Sequence, residues 1–102
     1  MTIRSDVRQD TIAVSTTSIK VTEQKINPEK RQLFYLRNSS PNATDIITIN
    51  LSSNEPAVVN KGIVLKQGDI YSESTQAGFI VWEGQINAIC TTVNGILTVV
   101  ER

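Results

Sequence analysis

Asp45-Ile46-Ile47-Thr48-Ile49-Asn50-Leu51-Ser52 places Ile47, Ile49 and Leu51 on one side of an extended chain and Thr48 and Asn50 on the other. Successive strand side chains point to opposite faces, so a period of two marks a half-buried β-strand. This stretch sets the fold class, and its neighbours in both directions repeat the signal.

Upstream, Ile19-Lys20-Val21-Thr22 alternates in the same way, after a strand-like Thr11-Ile12-Ala13-Val14. Gln32-Leu33-Phe34-Tyr35-Leu36-Arg37-Asn38 is apolar on both faces through its middle and reads as a central strand covered on two sides. Ser39-Ser40-Pro41-Asn42-Ala43 is a loop by composition. Asn27-Pro28-Glu29-Lys30-Arg31-Gln32 fits a single helical turn or a plain turn between strands. No segment carries the 3.6-residue pattern of a longer helix.

Downstream, Ala57-Val58-Val59 is a short strand candidate, and Ile63-Val64-Leu65-Lys66 another, ending at Gln67-Gly68-Asp69. Gly68 permits the positive φ of a tight turn, so Ile70-Tyr71-Ser72 begins a new strand. Phe79-Ile80-Val81-Trp82 follows, then a bend at Glu83-Gly84 and a strand from Gln85 to Thr91. Asn94-Gly95 between two strand-like runs is a strong hairpin signal, and it predicts antiparallel pairing of Ile86–Thr91 with Ile96–Glu101.

The expected architecture is all-β: a single antiparallel β-sandwich or jelly roll of about eight short strands, spanning residues 11–102. Residues 1–10, with Arg4 and Arg8, lack a dense core pattern. They read as an extended N-terminal arm, disordered or ordered on assembly, against the alternative of a frayed terminus.

Ten basic and ten acidic side chains cancel to a formal net charge of +0. Nucleic-acid binding draws most of its affinity from a basic excess, which is absent here. No apolar run approaches the ~20 residues of a membrane helix, and no signal peptide is visible, so synthesis in the cytoplasm is expected. The chain has no histidine. That removes the usual acid–base residue near neutral pH, the commonest metal ligand, and the Ser–His and Cys–His nucleophile pairs.

Cys90 is the sole cysteine and shares a strand face with Ile86 and Ala88, which reads as a buried structural thiol. The acids Asp69, Glu73, Glu83 and Glu101 lie beside turns or among polar residues and read as solvated rather than as a catalytic pair. Asp45 and Asp69 read as turn residues rather than calcium ligands. The sequons at Asn38, Asn42 and Asn50 carry no meaning without a secretion signal. No catalytic, cofactor-binding or metal-binding residue is expected, and no cofactor.

Trp82 reads as a core or subunit-interface residue, with sugar stacking as the competing role. Tyr35 and Tyr71 read as aromatics at the edge of the core. Arg4, Arg8, Tyr71 and Trp82 are the candidate contacts to a partner or to other copies of the chain.

Three stretches carry a resemblance: Gly62-Ile63-Val64-Leu65-Lys66-Gln67-Gly68-Asp69, Trp82-Glu83-Gly84-Gln85-Ile86-Asn87-Ala88-Ile89, and Gly95-Ile96-Leu97-Thr98-Val99-Val100-Glu101-Arg102. Together with Arg31–Asn38, they make residues 31–102 resemble the capsid decoration (head auxiliary or cement) proteins of tailed bacteriophages. Gln67 stands where such sequences often have proline, a change in turn stiffness rather than fold. The resemblance implies a non-enzymatic virion protein on the capsid exterior. It would bind the major capsid protein and copies of itself, often as a trimer, and clamp the shell against internal pressure. The alternatives are a tail, baseplate or fibre-associated β-module binding a receptor or carbohydrate, and an unrelated cellular β-sandwich adaptor.

Overall fold

The computed structural model describes residues 8–22, 31–52, 54–75 and 80–102. Among the described residues, eight strands follow one another: β1 (Arg8–Val14), β2 (Ile19–Thr22), β3 (Leu33–Asn38), β4 (Ile47–Leu51), β5 (Ile63–Leu65), β6 (Ile70–Ser74), β7 (Ile86–Cys90) and β8 (Gly95–Glu101). They form two four-stranded sheets, ordered β1-β8-β3-β6 in the first and β2-β7-β4-β5 in the second. Every pairing is antiparallel.

The inward rows supply one core. Val14, Phe34, Leu36, Leu97 and Val99 come from the first sheet, and Val21, Ile47, Ile49, Leu65, Ile86, Ala88 and Cys90 from the second. Two apolar faces meeting over a shared core are compatible with a β-sandwich. The chain is all-β as its periodicity predicts, and Cys90 is buried and unbridged beside Ile86 and Ala88.

Of the connections that cross from one sheet to the other, those at 15–18, 39–46, 66–69 and 91–94 lie at the same end. Asn38 braces this end: its side-chain amide donates to the Asp45 carbonyl (2.7 Å) and to the Leu65 carbonyl (2.8 Å) of the opposite sheet. The 66–69 turn closes as expected, with Gly68 at φ 83° and the Asp69 amide bonded to the Lys66 carbonyl.

Several expectations are corrected. Asn94-Gly95 does not close a hairpin, because β7 pairs with β2 and β4 while β8 pairs with β1 and β3. A type I′ hairpin turn needs positive φ at both central residues, and neither Asn94 nor Gly95 has it. Gly95 is required by crowding instead: a Cβ there would sit 2.5 Å from the Val14 carbonyl oxygen and 2.8 Å from Cys90 Sγ. The chain arches over at this point, so the apolar rows of β7 and β8 face each other across the core.

Ala57-Val58-Val59 forms no strand, only an isolated bridge from Val58 to Lys61. Ile80-Val81-Trp82 is irregular: Val81 enters the core while Ile80 is 99% exposed. β3 is central in its sheet, yet only its Phe34, Leu36 and Asn38 row is buried. Strand β1 takes in Arg8 to Asp10, the last three residues assigned to the arm. Arg4 and the rest of the arm, the Asn27–Lys30 turn, and Phe79 lie outside the described residues.

Candidate functional site

Glu101 and Glu73, expected to be solvated, are instead buried, with 5% and 7% exposure. Both point inward toward the same end of the fold, where arginines offset the charge of Glu101 and neutral donors hydrogen-bond Glu73. Glu101 accepts from Arg31 Nε (3.1 Å), Arg8 (3.0 Å) and the Thr22 hydroxyl (2.8 Å). Arg31 is 2% exposed; it also donates to the Trp82 and Gly84 carbonyls, and its guanidinium lies 5.8 Å from the Phe34 ring centroid. Glu73 accepts the Trp82 amide (2.9 Å) on one oxygen and the Tyr71 hydroxyl (2.6 Å) on the other.

Three of the expected contact residues are thereby linked. Arg8 reaches Trp82 through Glu101 and Arg31, and Trp82 reaches Tyr71 through Glu73. The Trp82 indole is held by its own hydrogen bond to the Gln85 carbonyl (3.0 Å) and lies against Gly84. Burial, followed by the hydrogen bond and the charge of Glu73, raises the Tyr71 hydroxyl to about 12. Burial pulls the Arg8 pKa down, but Glu101 and Asp10 outweigh it and leave the guanidinium above its ordinary value. This network holds both sheets at the end opposite Asn38. The sequence gives no sign of Arg31, Thr22, Glu73 or Glu101 as its members, because the Arg31–Glu101 and Arg8–Glu101 pairs span 70 and 93 residues.

No buried side-chain nitrogen or oxygen in the described residues lacks a hydrogen-bond partner. The buried carboxylates of Glu73 and Glu101 take these hydrogen bonds from within the fold. Among the described residues, no three histidine, cysteine or acidic side chains gather into a metal site. A polar groove of about 290 Å³ runs between Ser18–Lys20, Asn54–Pro56 and the pair Gln85 and Asn87. Its central amide is committed: Asn87 donates to the Ser52 and Glu55 carbonyls, both at 3.0 Å, and accepts from Gln85 at 2.7 Å.

The two outward faces differ. On the second sheet, the β4–β5 connection lies over the outer row. Asn50 donates to the Pro56 carbonyl (3.0 Å), and Thr48 accepts the Asn60 amide (3.0 Å) and is fully buried. On the first sheet, the strand register lays out one outer row of Gln9, Val100, Tyr35 and Ser72 and a second of Thr11, Thr98, Arg37 and Ile70. Every one of these side chains is partly or fully exposed, and Arg37 alone is charged. This four-strand face is the candidate functional surface, and neither Tyr35 nor Arg37 was expected there. The signal was present as the polar phase of β3 and β8, which carries tyrosine, valine and threonine where a solvated strand carries charge.

No protein-family model, curated protein or solved structure matches the chain.

Proposed function

We propose that the chain is a jelly-roll virion structural protein that works by adhesion, not by catalysis. In this reading it decorates the outside of a phage capsid, binding the major capsid protein and copies of itself and stabilising the shell. The observation that carries the reading is the nested order of the strands. First pairs with last, second with seventh, third with sixth and fourth with fifth, split between two sheets. A jelly roll winds in this manner, and viral capsid and lectin domains use it widely. The resemblance of residues 31–102 to decoration proteins points the same way, and so does the use of Glu73, Glu101, Arg8 and Arg31 as structural locks. Many weak contacts repeated over a lattice would supply avidity without a deep site.

The test is mass spectrometry of purified particles alongside the infected-cell supernatant. Recovery in fixed stoichiometry with the shell protein, and rupture at lower temperature for particles lacking this protein, are the expected results. A protein found only in the supernatant would refute the reading.

The polar groove beside β2 and β7 favours a second reading, a receptor- or carbohydrate-binding module of the tail. Its described lining contains no aromatic ring, the usual platform for a sugar. Glycan-array binding that is lost on Gln85→Ala would favour this reading over decoration.

A further inference from the structure

We propose that residues 54–61 form a strap that lifts as one unit off the outer face of the second sheet while both sheets stay folded. The inference is independent of either functional reading.

Polar contacts hold the strap down. Near its start, Asn87 donates to the Glu55 carbonyl (3.0 Å) and Asn50 to the Pro56 carbonyl (3.0 Å). In its middle the Ala57 amide donates to the Ser18 hydroxyl (2.8 Å), and toward its end the Asn60 amide donates to the Thr48 hydroxyl (3.0 Å). Ala57 is its one buried residue, whereas Val58 is 50% exposed and Val59 37%. The strap therefore lacks the apolar burial that dominates folding. Hydrogen bonds that water replaces on breaking add little net stability.

The ground beneath suits lifting. Asn50, Asn87 and Thr48 are polar rungs, and water takes over their bonds once the strap has gone. The core row of the same strands, with Ile47, Ile49, Ile86 and Ala88, lies on the opposite face and keeps its packing. The far end of the strap is anchored at Gly62, where a Cβ would lie 2.5 Å from the Ile49 carbonyl oxygen. Asn60 at φ 64° and Gly62 at φ 134° form the turn beside that anchor, the place for a hinge.

Lifting also changes the polar groove. Asn54–Pro56 are one wall of its roughly 290 Å³, facing Ser18–Lys20, Gln85 and Asn87. Without that wall the groove opens onto Asn50 and Thr48, so the strap sets how much of this face another molecule reaches.

Native-state hydrogen exchange, followed by NMR in small steps of urea, tests the strap. A local opening exchanges its amides at a free energy below that of global unfolding. The Ala57 and Asn60 amides should share one protection factor, about a hundredfold or more below those of Leu97 and Val99 in β8, with little response to urea. Asn87→Ala removes a contact near one end. It should lower protection at Asn60, near the other end, as much as at Ala57, by about tenfold or more. Thr48→Val should in turn lower protection at Ala57 by about fivefold. Circular dichroism checks that each variant folds, and the wild-type measurement and Thr48→Val decide the matter should Asn87→Ala fail to. Ala57 and Asn60 amides released only in step with β8 would overturn the inference. So would a folded variant whose effect stops at the amide nearest the substitution, because the segment would then fray piecemeal instead of lifting whole.

Discussion

The outer face of the second sheet and the outer face of the first start from similar material and end differently. Both are the solvent-side phase of four antiparallel strands. On the second, Asn87, Asn50 and Thr48 are hydrogen-bonded to the β4–β5 connection, so the polar rungs are consumed internally. On the first, no described segment crosses the rows, and one arginine stands among uncharged neighbours. Polar side chains on a strand can therefore serve two ends. Amides positioned to bond backbone carbonyls recruit the chain's own loop, whereas hydroxyls, valine and tyrosine leave rows that no described segment covers.

The comparison can be broken or sharpened by substitution, beginning with the lock beneath both faces. Glu101→Leu leaves Arg31 buried without its carboxylate, and about 3–5 kcal/mol of stability should be lost in urea denaturation at neutral pH. Asn87→Ala leaves the Ser52 and Glu55 carbonyls without their donor. It should cost about 2–3 kcal/mol and speed proteolysis near Glu55. Thr48→Val removes one acceptor of a single loop amide, and a loss of about 1 kcal/mol in the same assay is expected.

The Tyr71 hydroxyl supplies a pH test. Its neutral form is favoured in the fold, with a pKa of about 12 against the ordinary 10.0. Its contribution is therefore fully present below pH 10 and is lost as pH rises from there toward 12. Tyr71→Phe should flatten that part of the stability profile relative to wild type. Smallest of all, Arg37→Ser on the bare face should shift monomer stability by no more than about 0.5 kcal/mol, because nothing in the fold leans on the side chain. A large loss there would mean the face is structural rather than free.

How far the sequence revealed these features depended on the range of the interaction. Alternation at 47–51 and 86–90 is local, so those strands and much of the core were legible, whereas 33–38 read as apolar on both faces and buries one row only. Gly68 was legible too, since a positive φ is a property of one residue. Asn94-Gly95 misled because the same dipeptide serves a hairpin and an arch, and Cys90 and Val14, which decide between them, lie on other strands. The acids misled for a related reason. Glu73 and Glu101 look solvated beside their sequence neighbours, and only the return of Arg31 and Trp82 to the same end of the fold explains their burial. Tyr71, Trp82 and Arg8 were singled out as contact residues, and the structure ties all three into one internal chain of hydrogen bonds.

The account rests on the first sheet's outer face being the surface offered to another molecule. Hydroxyl-radical footprinting of the free protein and of the protein on purified particles reads it most directly. Labelling at Tyr35 and Ile70 should fall on particles, while Val58 and Val64 beside the self-covered face should label equally in both. Unchanged labelling of Tyr35 with new protection at Val58 and Val64 would contradict the account.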